Sequence, residues 1–190
     1  MILRYAGFWP RLGAHFLDFI FLSPFIIFLL WGNSHYRLFP LYNLIPSALF
    51  GLFFSVYLVR HFGGTPGKLI LGIRIRKLER EPVGYREAFL RYCPEFLFSL
   101  ILSIVLVFPL FQMTDAEYSS LTYSQKAKRV YELAPKCYTP INNLYAIWVW
   151  GEFVILLTNK RKRALHDFIA GTVVVHEAPL DFQSSGRKDT

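Results

Sequence analysis

The sequence predicts an all-α membrane protein, a bundle of about four transmembrane helices with amphipathic cytoplasmic segments. Its composition is the first indication, because 54% of the 190 residues are apolar and only 18% are charged, which is more apolar than is usual for soluble proteins. Four apolar runs are the second indication, since a hydrocarbon core of about 30 Å requires roughly 20 apolar residues in a helix. The runs cover about residues 12–32, 40–60, 93–112 and 141–158.

Basic residues are unevenly distributed around these runs. The chain has 21 lysines and arginines and a net charge of +8. Sixteen of these basic residues lie before the first run, between residues 60 and 91, or after residue 159. Because cytoplasmic loops carry the excess of positive charge, we expect both termini and the 60–91 loop in the cytoplasm. The charges can also contact anionic lipids, whereas no nucleic-acid-binding motif accompanies them.

The first predicted helix carries three ionisable side chains, Arg11, His15 and Asp18, on one face. Asp18 lies roughly 10 Å deeper than Arg11, because each helical residue rises 1.5 Å. An ionised group at such a depth costs roughly 2.5 kcal/mol or more unless it is paired or faces water. We therefore interpret Asp18 as a functional or structural site rather than as a residue that faces lipid.

Two segments on the predicted cytoplasmic side have strand character. β-Branched residues alternate with arginines in residues 69–77, and three valines follow Thr172. Such patterns are typical of half-exposed strands, so the segments can pair into a small two-stranded sheet beneath the bundle. Residues 84–92 are predicted to form an amphipathic helical lead into the third transmembrane helix.

The predicted outer loop, residues 113–140, is long enough to contain a helix capped by Thr114 or Asp115. A solvated surface helix, a cover over an external entrance and a partner contact remain open as its roles. The transmembrane domain is predicted to span residues 1–178, and residues 179–190 are predicted to form a polar cytoplasmic tail.

Glu152 lies about 9 Å inside the fourth predicted helix, at a depth similar to that of Asp18. Two carboxylates from different helices at one level can bind a cation or share a proton. In the alternative interpretation, Arg11, His15 or a polar group of the second helix neutralises them, and the cluster only holds the bundle together. The residues alone leave these two interpretations open.

Three short motifs occur in a fixed order along the chain. They are Arg11, Ala14 and Asp18 in the first helix, the segment Gly64-Thr-Pro-Gly-Lys68 with Leu71-Gly-Ile-Arg74, and the segment Leu165-His-Asp167 with Ala170-Gly-Thr172. On these residues the chain resembles the RDD family of multi-pass membrane proteins over roughly residues 5–178. The family is named for one arginine and two aspartates, and the resemblance identifies these as Arg11, Asp18 and Asp167.

The resemblance implies an activity as well as a fold. Similar proteins are described as transporters, some as antiporters of sodium or other alkali cations with protons, and some eukaryotic relatives resemble scaffolds of membrane complexes. We expect Na⁺, Li⁺ or K⁺ to exchange for protons at Asp18, with Glu152 and His15 as further ion- or proton-binding groups. Arg11 and Asp167 are expected to form an ion pair at the cytoplasmic mouth. The alternative is a non-transporting scaffold or assembly factor that binds another membrane protein or a lipid.

Other function classes are less consistent with the sequence. No nucleophile–base pair, metal-ligand set or cofactor fingerprint is present, so we expect no enzyme, no cofactor and no metal beyond a monovalent cation at Asp18. Because four helices are few for alternating access, we expect a homo- or hetero-oligomer. The expected location is the bacterial inner membrane.

Overall fold

A computed structural model describes residues 4–177 of the chain, and the predicted tail at residues 179–190 lies outside the described residues. Its helices in chain order are α1 (Phe8–His35), α2 (Phe39–Tyr42), α3 (Leu44–Leu52), α4 (Leu58–Phe62), α5 (Pro66–Ile70), α6 (Tyr85–Gln112), α7 (Asp115–Ser120), α8 (Tyr123–Glu132), α9 (Tyr138–Thr158) and α10 (Leu165–Ile169). A π-helical turn, Phe53–Tyr57, joins α3 to α4. Two strands, β1 (Ile73–Lys77) and β2 (Thr172–His176), accompany the helices.

Four helical stretches are long and apolar enough to cross a membrane. They are Phe8–His35, Leu44–Ile70, Tyr85–Gln112 and Tyr138–Thr158, and they correspond to the four predicted runs. The predicted fold class, a helical membrane bundle with a small sheet, is therefore confirmed. The second stretch is interrupted at Gly63, whose φ of 79° ends α4 in a conformation that glycine adopts without steric cost.

The third transmembrane helix begins earlier than predicted, at Tyr85 rather than near residue 93. Glu87 causes this early start, because its Oε2 atom accepts a hydrogen bond from the backbone N–H of Gly84 at 2.9 Å and caps the first turn. Ala88, one turn into the helix, is fully buried in the core. The predicted amphipathic lead and the transmembrane helix are thus one continuous helix.

One end of the bundle, here named the sheet end, is covered by the two strands. β1 and β2 pair in antiparallel register, with Ile73 opposite His176 and Lys77 opposite Thr172, so the predicted two-stranded sheet is confirmed. The N-terminal segment lies on the other side of β2, where Ala6 N–H donates to the carbonyl of Val174 at 2.9 Å. The buried core of this end contains Ala6, Ala14, Val56, Val59, Ile73, Ile75, Val83, Ala88 and Val174.

The opposite end of the bundle, here named the far end, carries the two helices of the long loop. The Thr114 hydroxyl oxygen accepts from Glu117 N–H at 3.1 Å and starts α7, as the sequence predicts. Tyr118 and Lys126 attach α7 and α8 to the end of α1 by donating to the backbone oxygens of Asn33 and Ser34, at 2.5 Å and 2.6 Å respectively. Helices α7 and α8 therefore cover the far end and are held to α1 by these hydrogen bonds.

Candidate functional site

The sheet end contains a buried ion cluster around Asp167, whose side chain is 0% exposed. The Nη1 atom of Arg11 donates to Asp167 Oδ2 at 2.6 Å, and Arg91 donates to Oδ1 of the same carboxylate. These residues belong to α1, α6 and α10, so this arginine–aspartate cluster joins three helices that are distant in sequence. The structure thus contains the predicted pair of Arg11 and Asp167, and it adds Arg91, which the sequence did not predict.

Further hydrogen bonds hold the arginine–aspartate cluster in place. The Thr172 hydroxyl donates to Asp167 Oδ1 at 3.2 Å, and Arg163 donates to the backbone oxygens of Asp167 and Thr172. Burial alone would raise the pKa of the Asp167 carboxyl, but the charged groups around it, above all Arg91 and also Arg11, hold that pKa far below its usual range. Asp167 therefore stays ionised at every physiological pH.

Asp18 belongs to a separate site, in which it caps the first turn of α5. Its side chain is buried, with 5% of the residue exposed. The backbone N–H of Gly67 donates to Asp18 Oδ1 at 2.7 Å, and the Thr65 hydroxyl donates to Oδ2 at 2.6 Å. The ammonium group of Lys68, also buried, donates to the Thr65 hydroxyl at 3.3 Å. One carboxylate from α1 thus binds the start of a helix that follows it by almost fifty residues.

Close approach of two backbones explains why this turn contains glycine. A Cβ atom at Gly67 would lie 2.2 Å from the backbone oxygen of Ala14 and 2.9 Å from both the N and the Oδ1 atoms of Asp18. Helix α5 can therefore reach Asp18 only if residue 67 has no side chain. These contacts connect the first two motifs of the sequence.

Glu152 and His15 do not join Asp18 in the way that the sequence analysis expected. Glu152 lies against His166 of α10, whose Nδ1 atom is 2.7 Å and 2.6 Å from the two carboxylate oxygens. The side chain of His15 is exposed. Among residues 4–177, the hydrogen bonds of the Asp18 carboxylate come from Thr65 and Gly67. Similar depth in the membrane was thus insufficient to bring these groups into contact.

The pair of Glu152 and His166 is half-buried, with side-chain exposures of 21% and 20%. Burial, reinforced by the charge of Arg91, lowers the pKa of His166, although Asp167 and Glu152 act in the opposite direction. At neutral pH the imidazole is therefore neutral and donates its Nδ1 proton to Glu152. Its Nε2 atom is buried and has no hydrogen-bond partner among the described residues.

Acidification is expected to destabilise the protein through His166. Its pKa in the folded state lies below the ordinary value of 6.5, so the unfolded chain takes up this proton first as the pH falls. As the pH falls from about 7.5 to about 5.5, the free energy of unfolding should therefore decrease. The slope for one proton is at most about 1.4 kcal/mol per pH unit. Thermal unfolding of detergent-purified protein across this window measures the slope.

The matched variant for this measurement is His166→Gln, which retains a donor toward Glu152 but does not titrate. We expect a smaller pH slope in the variant, while His176, whose pKa burial also lowers, contributes equally to both proteins. Equal slopes in the two proteins would contradict the assignment of the effect to His166.

One face of α6 is polar along its length, with Arg91, Glu95, Ser99 and Ser103 spaced four residues apart. We name these residues the polar face of α6. Arg91 contacts Asp167 at the sheet end, and the two serines border a cavity inside the bundle. Glu95 lies between them and is exposed. This arrangement was not predicted, although the regular spacing of polar residues within an apolar helix is visible in the sequence.

Helix packing gives the relative depth of Glu95 and Glu152. The rings of Phe98 in α6 and Tyr145 in α9 are 5.4 Å apart, so these residues lie at one level. Glu152 is seven residues from Tyr145 toward the sheet end, and Glu95 is three residues from Phe98 in the same direction. With 1.5 Å per residue, Glu95 lies roughly 6 Å further from the sheet end than Glu152.

The described residues contain no group of three or more His, Cys, Asp or Glu side chains that could hold a metal ion. Within residues 4–177, the carboxylates of the bundle instead accept hydrogen bonds from arginine, histidine, threonine or backbone donors at the sites described above.

Comparison with known proteins gives one family and two relatives. The family model described as "RDD family" matches residues 5–171. The "uncharacterized protein YckC" of Bacillus subtilis strain 168 is 34% identical over 118 residues, which cover 56% of this chain and 74% of that protein. The "uncharacterized membrane protein YteJ" of the same strain is 22% identical over 189 residues, which cover 91% of this chain and 82% of that protein. No solved structure matches the chain significantly.

Proposed function

This chain belongs to the RDD family, and we propose that it is a membrane transporter that exchanges a monovalent cation, Na⁺, Li⁺ or K⁺, for protons. The distribution of lysine and arginine supports an orientation in which the sheet end and both termini face the cytoplasm. A bacterial inner membrane is the proposed location. Because alternating access requires moving parts and the bundle has four spanning stretches, the proposal includes a homo- or hetero-oligomer.

The polar face of α6 is the observation that carries this proposal. If the polar groups served only to hold the helices together, they would lie at contacts between helices. Glu95 is instead exposed, and Ser99 and Ser103 border a cavity. Ionisable groups inside membrane proteins commonly mark ion or proton pathways. In this proposal protons pass between Glu95 and the pair of Glu152 and His166, and the cavity itself is not part of the pathway.

Asp18 is the proposed carboxylate that alternates between a proton and a cation. Its oxygens and the Thr65 hydroxyl are the oxygen ligands that hard cations prefer. Protonation would weaken Asp18 as an acceptor for Gly67 N–H and so loosen α5 from α1. Glu152 with His166, together with the exposed His15, are the proposed groups that pass protons to and from the cytoplasm.

Asp18→Asn is expected to abolish cation-dependent proton movement in everted membrane vesicles. The asparagine cannot ionise, but its Oδ1 atom can still accept from Gly67 and its amide can donate to the Thr65 hydroxyl, so the docking of α5 is preserved. Glu132→Gln, at an exposed residue of α8 at the far end, is the matched control and should keep normal transport. Persistence of exchange in Asp18→Asn, at normal levels of inserted protein, would refute the mechanism.

A scaffold or assembly factor that binds another membrane protein or a lipid is the second candidate. One specific observation favours it: both oxygens of Asp18 already accept hydrogen bonds from the α5 turn, as expected of a purely structural cap. In this case purified wild-type protein in liposomes should give no ion flux for any alkali cation at any pH tested, and Asp18→Asn should change only the amount of folded protein.

A further inference from the structure

The bundle contains an elongated cavity of about 470 Å³ between α1, α3, α6 and α8. Along α6 its lining extends from Tyr92 to Leu110, which corresponds to roughly 27 Å at 1.5 Å per residue. The cavity is therefore long and narrow, and it runs along most of the hydrocarbon core of a membrane, which is about 30 Å thick. A bare alkali cation needs only a small fraction of this volume.

The body of the cavity is mainly apolar. Leucines from three elements form much of its wall, among them Leu29, Leu44 and Leu106. Eight of the lining residues also carry a hydroxyl or an amide group, namely Asn33, Asn43, Ser47, Tyr92, Ser99, Ser103, Tyr118 and Tyr123. A long cavity with a mainly apolar wall and hydrogen-bonding groups along it matches an unbranched hydrocarbon chain with a polar head group better than a small polar solute.

The far end of the cavity has a different chemistry. Lys126 of α8 lines it and holds its ammonium group 4.5 Å from the centre of the Tyr118 ring. Asn33 also lines it, and its Oδ1 atom is buried without a hydrogen-bond partner among the described residues. None of the described residues that line the cavity is Asp or Glu. This mouth therefore offers a positive charge that lacks an acidic neighbour in the lining, on an ammonium group that uses one of its three donors on the Ser34 backbone oxygen.

We propose that this cavity binds a single-chain amphiphile, a monoacyl glycerophospholipid with an anionic head group. The acyl chain occupies the apolar body between α3 and α6. The phosphate accepts from the Lys126 ammonium group. Helix α8 supplies the cation, so the long loop between α6 and α9 is part of a binding site.

This inference does not depend on cation exchange. The Asp18 site and the cavity mouth lie at opposite ends of the bundle, because Asp18 contacts α5 near the sheet end and Lys126 contacts Ser34 at the end of α1. Asp18→Asn should therefore leave amphiphile binding unchanged, even if it abolishes transport. Failure of one proposal can thus be distinguished from failure of the other.

Native mass spectrometry of the full chain in detergent tests the proposal with palmitoyl lysophosphatidylglycerol as the probe. We expect saturable binding of one molecule per chain. Lys126→Gln should weaken binding about tenfold, as expected for the loss of a hydrogen bond to a charged group. Lys128→Gln is the matched control, because this lysine lies on the same helix, has a side chain that is 79% exposed and does not line the cavity.

A second variant tests the position of the chain rather than that of the head group. Ser103→Phe fills the apolar body and should prevent binding of the same probe while Lys126 remains in place. Palmitoyl lysophosphatidylcholine, which lacks a net negative charge, should bind more weakly than the anionic probe. Glycerol phosphate, which lacks the chain, should not bind detectably.

Four outcomes would overturn the proposal. They are absence of saturable binding to the wild-type protein, equal losses in Lys126→Gln and Lys128→Gln, unchanged binding in Ser103→Phe, and binding of glycerol phosphate that equals binding of the lysolipid. The last result would indicate a site for a soluble phosphate. Equal thermal unfolding temperatures of the variants and the wild type exclude misfolding as the cause of lost binding.

Discussion

Asp167→Asn is expected to lower the free energy of unfolding by about 3–5 kcal/mol, the range for removing one partner of a buried ion pair. The Asp167 side chain is fully buried and contacts both Arg11 and Arg91. Asparagine has nearly the same shape, so the loss comes from two guanidinium groups that keep their charges without a counter-ion. The arginine–aspartate cluster joins α1, α6 and α10, and most of the sheet end should therefore be affected.

Thermal unfolding of detergent-purified protein, followed by the amount of monodisperse protein after heating, measures this effect. Asp115→Asn is the matched control, because Asp115 forms an ion pair with Arg37 at 2.6 Å while its side chain is 84% exposed. We expect Asp115→Asn to lower the free energy of unfolding by less than about 1 kcal/mol, because exposed ion pairs usually contribute no more than this. Similar losses in both variants would mean that burial does not determine the strength of the Asp167 contacts.

Gly67→Ala is expected to separate α5 from α1. The new Cβ atom would lie 2.2 Å from the backbone oxygen of Ala14, and a backbone atom cannot move aside as a flexible side chain can. Overpacking of this kind typically costs about 1–3 kcal/mol, and loss of the hydrogen bonds to Asp18 adds to it because they are buried. The same thermal unfolding assay measures the loss.

Gly7→Ala provides the control for the Gly67 variant. A Cβ atom at Gly7 would meet nothing within 4 Å, and its φ of −74° is available to alanine. We expect a loss of less than about 1 kcal/mol in this variant, because Gly7 is the N-cap of α1 and alanine is less favourable at that position. If Gly67→Ala were equally mild, the close approach of α5 to Ala14 would not exist in the protein.

The Gly67 variant also separates two possible reasons for a loss of transport at Asp18. Gly67→Ala disturbs the docking of α5 but leaves the carboxylate ionisable, whereas Asp18→Asn removes the charge and preserves the docking. Transport that fails only in Asp18→Asn would indicate ion exchange at the carboxylate. Transport that fails in both variants, with protein inserted at normal levels, would indicate that α5 must be docked as well.

The three residues for which the RDD family is named have two different structural roles in this chain. Arg11 and Asp167 form one ion pair, which joins α1 to α10 at the sheet end. Asp18 instead binds α5, the short helix at the end of the second membrane-spanning stretch. A substitution of any one of them is therefore expected to lower stability, so activity assays need the amount of folded protein as a reference.

The sequence by itself determined the four spanning stretches, the two strands and the pairing of Arg11 with Asp167. The first two follow from local physics, because hydropathy over about 20 residues and alternation over a few residues depend only on neighbours in the chain. The pairing of Arg11 with Asp167 was predicted through the family resemblance.

Only the tertiary structure decided which polar groups meet inside the bundle. Counting residues gives the depth of Asp18 and Glu152 along the membrane normal, but it does not give the order of the helices or their rotation about their axes. Glu152 therefore has the expected depth and a different partner, His166. The capping of α5 by Asp18 and the cavity that reaches Lys126 likewise require contacts between distant segments, and such contacts depend on how whole helices pack.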